Sequence, residues 1–239
     1  MPKKTNQWEI YSEKYLERAS EINDPFKRIV DSPSFLKLLG NLNYKRILDL
    51  GCGNGEFCKA MKVKGGKVTG VDGSASMIKL ARQILPLSEF QVLDLRKEKL
   101  PFLPSSFDIV TAKLFLMYLP SLTNVLKDIN RILKNNGLLA IDLIHPLRPF
   151  IFSSKIITKK YLVRQPYLKE SSGKIVFSEE KFDFFYRPIS WYLNKITSCG
   201  FIFLKSQEIV AGKNFVKKFP EENHKQNLPV TLHLLFKKP

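Results

Sequence analysis

The stretch RILDLGCGNGEF (Arg46–Phe57) narrows the possible folds more than any other part of this chain. An apolar pentapeptide carrying Asp49 runs straight into glycines at 51, 53 and 55. A strand that turns on alternate glycines and continues as a helix is the opening unit of a parallel sheet with helical crossovers. Ligands of such sheets bind beyond the carboxyl ends of the strands, where the strand order reverses. Glycines at that end let a ligand lie against the backbone, and the next helix offers free N–H groups.

The same unit recurs along the chain. Apolar strand candidates follow at Lys67–Asp72, Glu89–Leu93, Phe107–Ala112 and Leu138–Leu143. Between them, Ser74–Leu85 has helical spacing, with Ser74 as N-cap and Pro86 beyond its end. Ser121–Lys134 presents Leu122, Val125, Leu126, Ile129, Ile132 and Leu133 on one face, and Asn136-Gly137 is expected to stop it. Upstream, Trp8, Tyr11 and Tyr15 repeat at helical period, and Pro25 and Pro33 bracket a connector before a short helix Ser34–Leu39. Past Pro146 the alternation stops, and residues 147–187 are rich in Lys, Tyr and Phe. A helix Ser190–Cys199, a strand Phe201–Val210, a polar connector and a last strand Val230–Phe236 complete the chain. The expected fold is α/β: a Rossmann-like, mostly parallel seven-stranded sheet with helices on both faces and an antiparallel edge hairpin. Residues 1–239 read as one domain, with an N-terminal helical lid (about 6–40) and a cap inserted over one end of the sheet (about 147–187).

Composition removes several alternatives. Three cysteines (Cys52, Cys58, Cys199) give neither a disulfide framework nor a paired metal-ligand spacing, so a reducing cytoplasm is the expected setting. The N-terminal lysines precede no apolar run of a signal peptide, and GLLAIDLI (Gly137–Ile144) is too short to span a bilayer. The formal charge of +17 fits an anionic partner or a lysine-rich surface, and both readings stay open at this point. His145, His224 and His233 form no recognisable ligand cluster, so no metal is expected.

The acids around the glycines define the ligand. Position 56, where a dinucleotide loop wants its third glycine, is Glu56, and a pyrophosphate gains nothing from Asp49 and Glu56. A ligand with a positive group suits them better. Asp72 ends the second strand, where a carboxylate accepts hydrogen bonds from both ribose hydroxyls, with Gly73 beside it. Asp94 ends the third strand and is placed to meet an adenine amino group. The ligand wanted is a nucleoside with a cationic, amino-acid-like tail.

ILDLGCGNGEF, VTGVDGSASMIKLAR, VLDL, LPFLPSSFDIVTAKLFLMYL and INRILKNNGLLAIDLIHP, in that order, resemble the class I S-adenosylmethionine-dependent methyltransferases of the small-molecule type. The resemblance implies that Gly51, Gly53 and Gly55 line the methionine part of S-adenosylmethionine, with Asp49 supporting the loop and its amino group. It implies Asp72 at the ribose, Asp94 and Leu95 at the adenine, and Lys113 at the methionine end, chiefly through backbone. A lysine there departs from the small or polar residue of the family. Tyr11 or Tyr15 resembles the family's aromatic lid residue.

Methyl transfer from a sulfonium is an in-line displacement that needs alignment and dryness, with a base only for a protonated acceptor. His145, in AIDLIHP on the same rim, is the candidate base; the alternative is a loop histidine bonded to backbone. YRPISWYLNKITSCGF resembles the family segment that faces the acceptor, which makes Tyr186 and Arg187 pocket candidates; Met117 and Tyr118 join them from the rim. The expected acceptor is a small organic molecule methylated at O, N or an activated C, and the expected protein is a monomer or homodimer with no membrane span. One alternative is an RNA methyltransferase whose basic C-terminal half holds phosphates. Another keeps the pocket without catalysis.

Overall fold

The structure is a computed structural model that describes residues 8–9, 24–148, 151–153, 161–163, 167–177 and 180–239. Strands β1 (Arg46–Leu50), β2 (Lys67–Asp72), β3 (Glu89–Val92), β4 (Phe107–Lys113) and β5 (Leu133–Ile144) pair in parallel. β10 (Ile202–Ile209) and β11 (Thr231–Lys237) complete a seven-stranded sheet of order β10-β11-β5-β4-β1-β2-β3. β11 runs antiparallel to both β5 and β10, so the expected antiparallel pair forms one edge. The chain lays β2 and β3 on one side of β1 and then returns to lay β4 on the other. The order reverses at β1, and the glycine loop follows β1.

Both faces are covered because the strand residues alternate. Ile47 and Ile109 pack with Phe35 of α1 (Ser32–Leu38), Met61 of α2 (Glu56–Val63) and Ile78 of α3 (Ala75–Ile84). Leu48, Leu50 and Val110 point the other way, into a cluster with Leu126 and Ile129 of α4 (Thr123–Ile132) and Ile196 of α5 (Ile189–Thr197). Each such buried aliphatic side chain contributes on the order of 1.5–3 kcal/mol. Ser74 caps α3 as expected, its Oγ accepting from Met77 N at 3.2 Å.

Three local expectations are corrected. The segment between Pro25 and Pro33 is helical, and Lys27–Asp31 is a π-helical turn that leads into α1. Pro33 has no N–H for the carbonyl of Ile29, and the ladder widens so that Ser32 N bonds to Lys27 O. Asn136-Gly137 does not stop α4, which ends at Ile132 and passes directly into β5. Asn136 instead adopts φ +62° within β5 and donates its N–H to Lys238 O, while the register of β4 on β5 shifts nearby. The polar connector between β10 and β11 holds α6 (Lys213–Lys218) and a 3-10 turn Pro220–Lys225. Phe215 of α6 packs edge-on against Phe26, at 5.9 Å between ring centroids.

Within 147–187 two antiparallel ladders form: β6 (Ile151–Ser153) with β7 (Tyr161–Val163), and β8 (Ser171–Phe177) with β9 (Glu180–Tyr186). Phe182 and Phe184 of β9 are buried and Asp183 between them is exposed. The Phe184 ring meets Tyr118 of the 3-10 turn Leu116–Tyr118 at 5.8 Å.

Candidate active site

A cleft opens at the carboxyl ends of β1, β2, β3 and β4. Gly51, Gly53, Asp72, Gly73, Asp94 and Leu95 line it together. Gly51 N and Cys52 N donate to Val71 O, which binds the glycine loop to the end of β2. Asp72 is held by Gly53 N on Oδ2 and by Ser74 N on Oδ1, both at 2.9 Å. Burial raises its pKa above the ordinary carboxylate value, with those two backbone bonds opposing. Each carboxylate oxygen keeps acceptor capacity beyond its backbone bond.

The three glycines serve different ends. At Gly51 (φ +67°) a Cβ would lie 2.5 Å from the Phe115 ring, so the glycine admits that ring to the loop. At Gly53 (φ +53°) a Cβ would meet nothing within 4 Å, and the space above this backbone belongs to the cleft. Gly55 (φ +83°) faces Ala81 of α3, where a Cβ would lie 3.0 Å from that residue's own. The expected ligand role for Gly55 is therefore corrected to helix packing.

Asp49 also faces away from the cleft lining. Its Oδ1 accepts from Thr111 Oγ1 at 2.7 Å and its Oδ2 from Cys58 Sγ at 3.3 Å. Burial pushes its pKa up to about 6 against those two bonds. Asp94 borders the cleft with its carboxylate in the fork of Arg96, Nε to Oδ1 and Nη2 to Oδ2, each 2.8 Å. Burial opposes, but the Arg96 bonds hold the Asp94 pKa below its ordinary value.

Lys113 ends β4 with its ammonium on the buried carboxylates Asp31 and Asp142, so its side chain leaves the cleft. His145 is 3% exposed; its Nε2 meets Glu208 Oε1 at 3.1 Å and its Nδ1 accepts from Leu147 N at 3.3 Å. Both ring nitrogens are engaged outside the cleft lining, which corrects its assignment as a base facing the acceptor. Burial lowers its pKa, with Glu208 opposing. Arg187 is buried as well: Nη2 donates to Leu119 O and Pro120 O, and Nε lies 3.2 Å from Glu170. Arg187 does not line the cleft and is bonded to Leu119, which does. Tyr186 and Met117 border a separate small cavity with Phe184 and Tyr192. Tyr11 and Tyr15 lie outside the described residues.

Of the opposite wall, the sequence offered only Tyr118 as a pocket candidate. Trp8 stacks on Phe182 at 4.1 Å and meets Tyr118 edge-on at 4.9 Å, and all three line the cleft with Leu114 and Phe115. Glu9 secures this segment to the start of α3: Ser74 Oγ donates to it at 2.7 Å, Ser76 N at 3.1 Å, and Ser76 Oγ also. Its carboxylate thus serves the helix N-terminus. Trp8 heads the Trp8, Tyr11, Tyr15 spacing of the expected N-terminal helix, the sequence signal that pointed toward it.

Among the described residues one group has the makings of a metal site, Asp31, Asp142 and His233, and the Lys113 ammonium already lies on both of its carboxylates. The cleft instead offers fixed carboxylate acceptors, bare backbone and an aromatic wall. That arrangement suits a nucleoside with an apolar group beside it.

Residues 48–141 match the family model described as a methyltransferase domain. The demethylmenaquinone methyltransferase of Chlorobaculum tepidum is 33% identical over 170 residues, covering 70% of this chain and 66% of that protein. The ubiquinone biosynthesis O-methyltransferase of Nitrosomonas europaea is 30% identical over 132 residues, covering 54% of this chain and 55% of that one. The chain thus spans less than two thirds of the length of these relatives. An S-adenosylmethionine-dependent methyltransferase from Mesorhizobium loti superposes with a TM-score of 0.78 at 23% identity, over 86% of this chain and 96% of that one. Its fold is the fold described above.

Proposed function

We propose that the chain is an S-adenosylmethionine-dependent methyltransferase, as the matched methyltransferase domain and the relatives support, and that it transfers a methyl group from S-adenosylmethionine to a small organic acceptor at O, N or an activated C. One observation carries the reading: Asp72, oriented by two backbone N–H groups, shares a cleft with the bare backbone at Gly53 and with Asp94. The residues fit the donor. Asp72 accepts from the ribose hydroxyls, Asp94 and Leu95 border the adenine, and Gly51 and Gly53 admit the methionine part. When bound, S-adenosylmethionine supplies an activated sulfonium methyl group.

The protein's own share is alignment and exclusion of water. Trp8, Phe115, Tyr118 and Phe182 wall the acceptor side with rings, which suits a flat or apolar acceptor. The relatives named for demethylmenaquinone and ubiquinone biosynthesis support an acceptor of that kind. With His145 bonded elsewhere, an acceptor that arrives as a phenolate or neutral amine fits this cleft, because it needs no base. Trp8, with Phe182 and Asp183 of β9, walls the acceptor side as part of the same domain. Free cysteines support a cytoplasmic enzyme.

Titration calorimetry with S-adenosylhomocysteine tests the donor site. Binding that disappears in Asp72→Ala is expected; binding of a nicotinamide dinucleotide instead overturns the reading. Tritiated methyl donor incubated with a metabolite extract and with total RNA tests the acceptor, and label in the RNA overturns the small-molecule assignment.

A further inference from the structure

Four ionisable side chains from four elements meet in the interior at the other end of the rim. Asp31 comes from the π-helical turn, Lys113 from β4, Asp142 from β5 and His233 from β11. Asp31, Asp142 and His233 are fully buried. Lys113 Nζ donates to Asp142 Oδ2 at 2.7 Å and to Asp31 Oδ2. Asp31 Oδ1 accepts from Thr231 Oγ1 at 2.6 Å and faces His233 Nε2 at 2.9 Å. Among the described residues Asp142 Oδ1 and His233 Nδ1 have no hydrogen-bond partner, and Asp142 Oδ1 lies 3.6 Å from His233 Nε2.

Stability does not account for such a knot. Each buried ion costs several kcal/mol to desolvate, and apolar residues of the same volume often do as well or better. A metal does not account for it either, because an ammonium already lies on both carboxylates. The neighbouring backbone does. Lys113 is the last residue of β4, and Leu114 follows at φ +51°, donating its N–H to Asp142 O at 2.8 Å. Leu114 and Phe115 line the cleft, with the Phe115 ring in the space that a Cβ on Gly51 would fill.

We infer that Lys113 is a positioning residue for the donor site: its ammonium, gripped by Asp31 and Asp142, fixes the Leu114–Phe115 step against the glycine loop. The inference rests on the methyl-donor reading of the cleft. Asp142 is the titrating member of the knot, since burial pushes it up to about 7 despite the pull of Lys113. Burial alone would lower Lys113, but Asp142 and Asp31 raise it above the ordinary lysine value. Asp31 stays well below the carboxylate range, its burial overcome by His233 and Lys113. Lys27, on the same turn as Asp31, adds a further positive charge to the surroundings.

The experiment measures S-adenosylhomocysteine affinity at pH 6, 7 and 8, with thermal melts as the check on folding. In the unaltered protein affinity falls from pH 8 to pH 6, because protonating Asp142 releases one anchor of Lys113. Lys113→Met/Asp142→Asn, which removes one charge of each sign, binds about tenfold weaker at pH 8 and loses the pH dependence. Asp142→Asn alone, the milder change, flattens the profile while keeping the ammonium. His233→Gln keeps the slope, because it leaves Asp142 and its bond to Lys113 in place. A folded double variant, or a folded Asp142→Asn, with wild-type affinity and slope overturns the inference and leaves the donor site standing. No binding to the unaltered protein overturns the donor reading itself and the inference with it.

Discussion

Two groups of carboxylates stand on the same rim of the sheet and do opposite things. At the ends of β2 and β3, Asp72 and Asp94 border open space, and Asp72 takes its internal bonds from backbone N–H groups. At the ends of β4 and β5, Asp142 and its partner Asp31 are closed over a lysine, and no solvent reaches them. Backbone donors fix a carboxylate and leave lone pairs to offer, whereas a buried ammonium consumes it. An acid's place at a strand end therefore does not reveal its role; its donors do.

The comparison breaks first if Asp72 is dispensable. On the proposed reading, Asp72→Ala removes two ribose acceptors along with the partner of Gly53 N, each hydrogen bond to a charged group being worth about 1.5–3 kcal/mol. S-adenosylhomocysteine affinity should drop by roughly a hundredfold or more by calorimetry.

A sharper cut comes from the glycines. Gly53→Ala meets no atom within 4 Å, so its cost in the free protein is the left-handed backbone alone, about 1–2 kcal/mol in a denaturant melt. Its Cβ projects into the cleft space, so ligand affinity should fall further than stability does. Gly51→Ala drives a Cβ into the Phe115 ring, and stability should fall further than in Gly53→Ala and recover in part with Phe115→Ala.

Asp49, the acid that faces neither cleft nor knot, yields a pH signature. Its carboxyl loses its proton near pH 6 when folded and near the ordinary 3.8 when unfolded. Between those values the folded state holds the extra proton, so its contribution to stability declines as pH rises through the window. Asp49→Asn lacks that slope, and its stability relative to the unaltered protein should improve by roughly 2 kcal/mol between pH 4 and pH 7. Parallel melts across that range check it.

The smallest effect belongs to His145. His145→Gln should cost about 1 kcal/mol through the lost Glu208 bond and leave methyl transfer, to whichever acceptor takes the label, within threefold from pH 6 to pH 8. A loss of an ionisation limb in that profile would restore His145 as a base.

Chain-local features carried much of this architecture. The strand–helix alternation, the Ser74 cap and the turn on Gly51 and Gly53 rest on periodicity and backbone freedom, which neighbouring residues already encode. Asp72 was legible for the same reason, since it is the last residue of a strand one crossover from the glycines. The π turn before α1 was not read, although its cause, Pro33, stands in the sequence; the widening of a ladder depends on what the displaced carbonyl and Asp31 find to pack against.

What the sequence by itself determined is the sheet, the loop and the strand end at which Asp72 stands beside the cleft. Only the tertiary structure decided which acids face that place. It turned Asp49 onto Thr111 and Cys58, set Lys113 between Asp31 and Asp142, paired His145 with Glu208, and carried Trp8 across to Tyr118 and Phe182. The physical reason is separation along the chain. Lys113 finds Asp31 across 82 residues and Asp31 finds His233 across 202, and pairings that distant are fixed by packing.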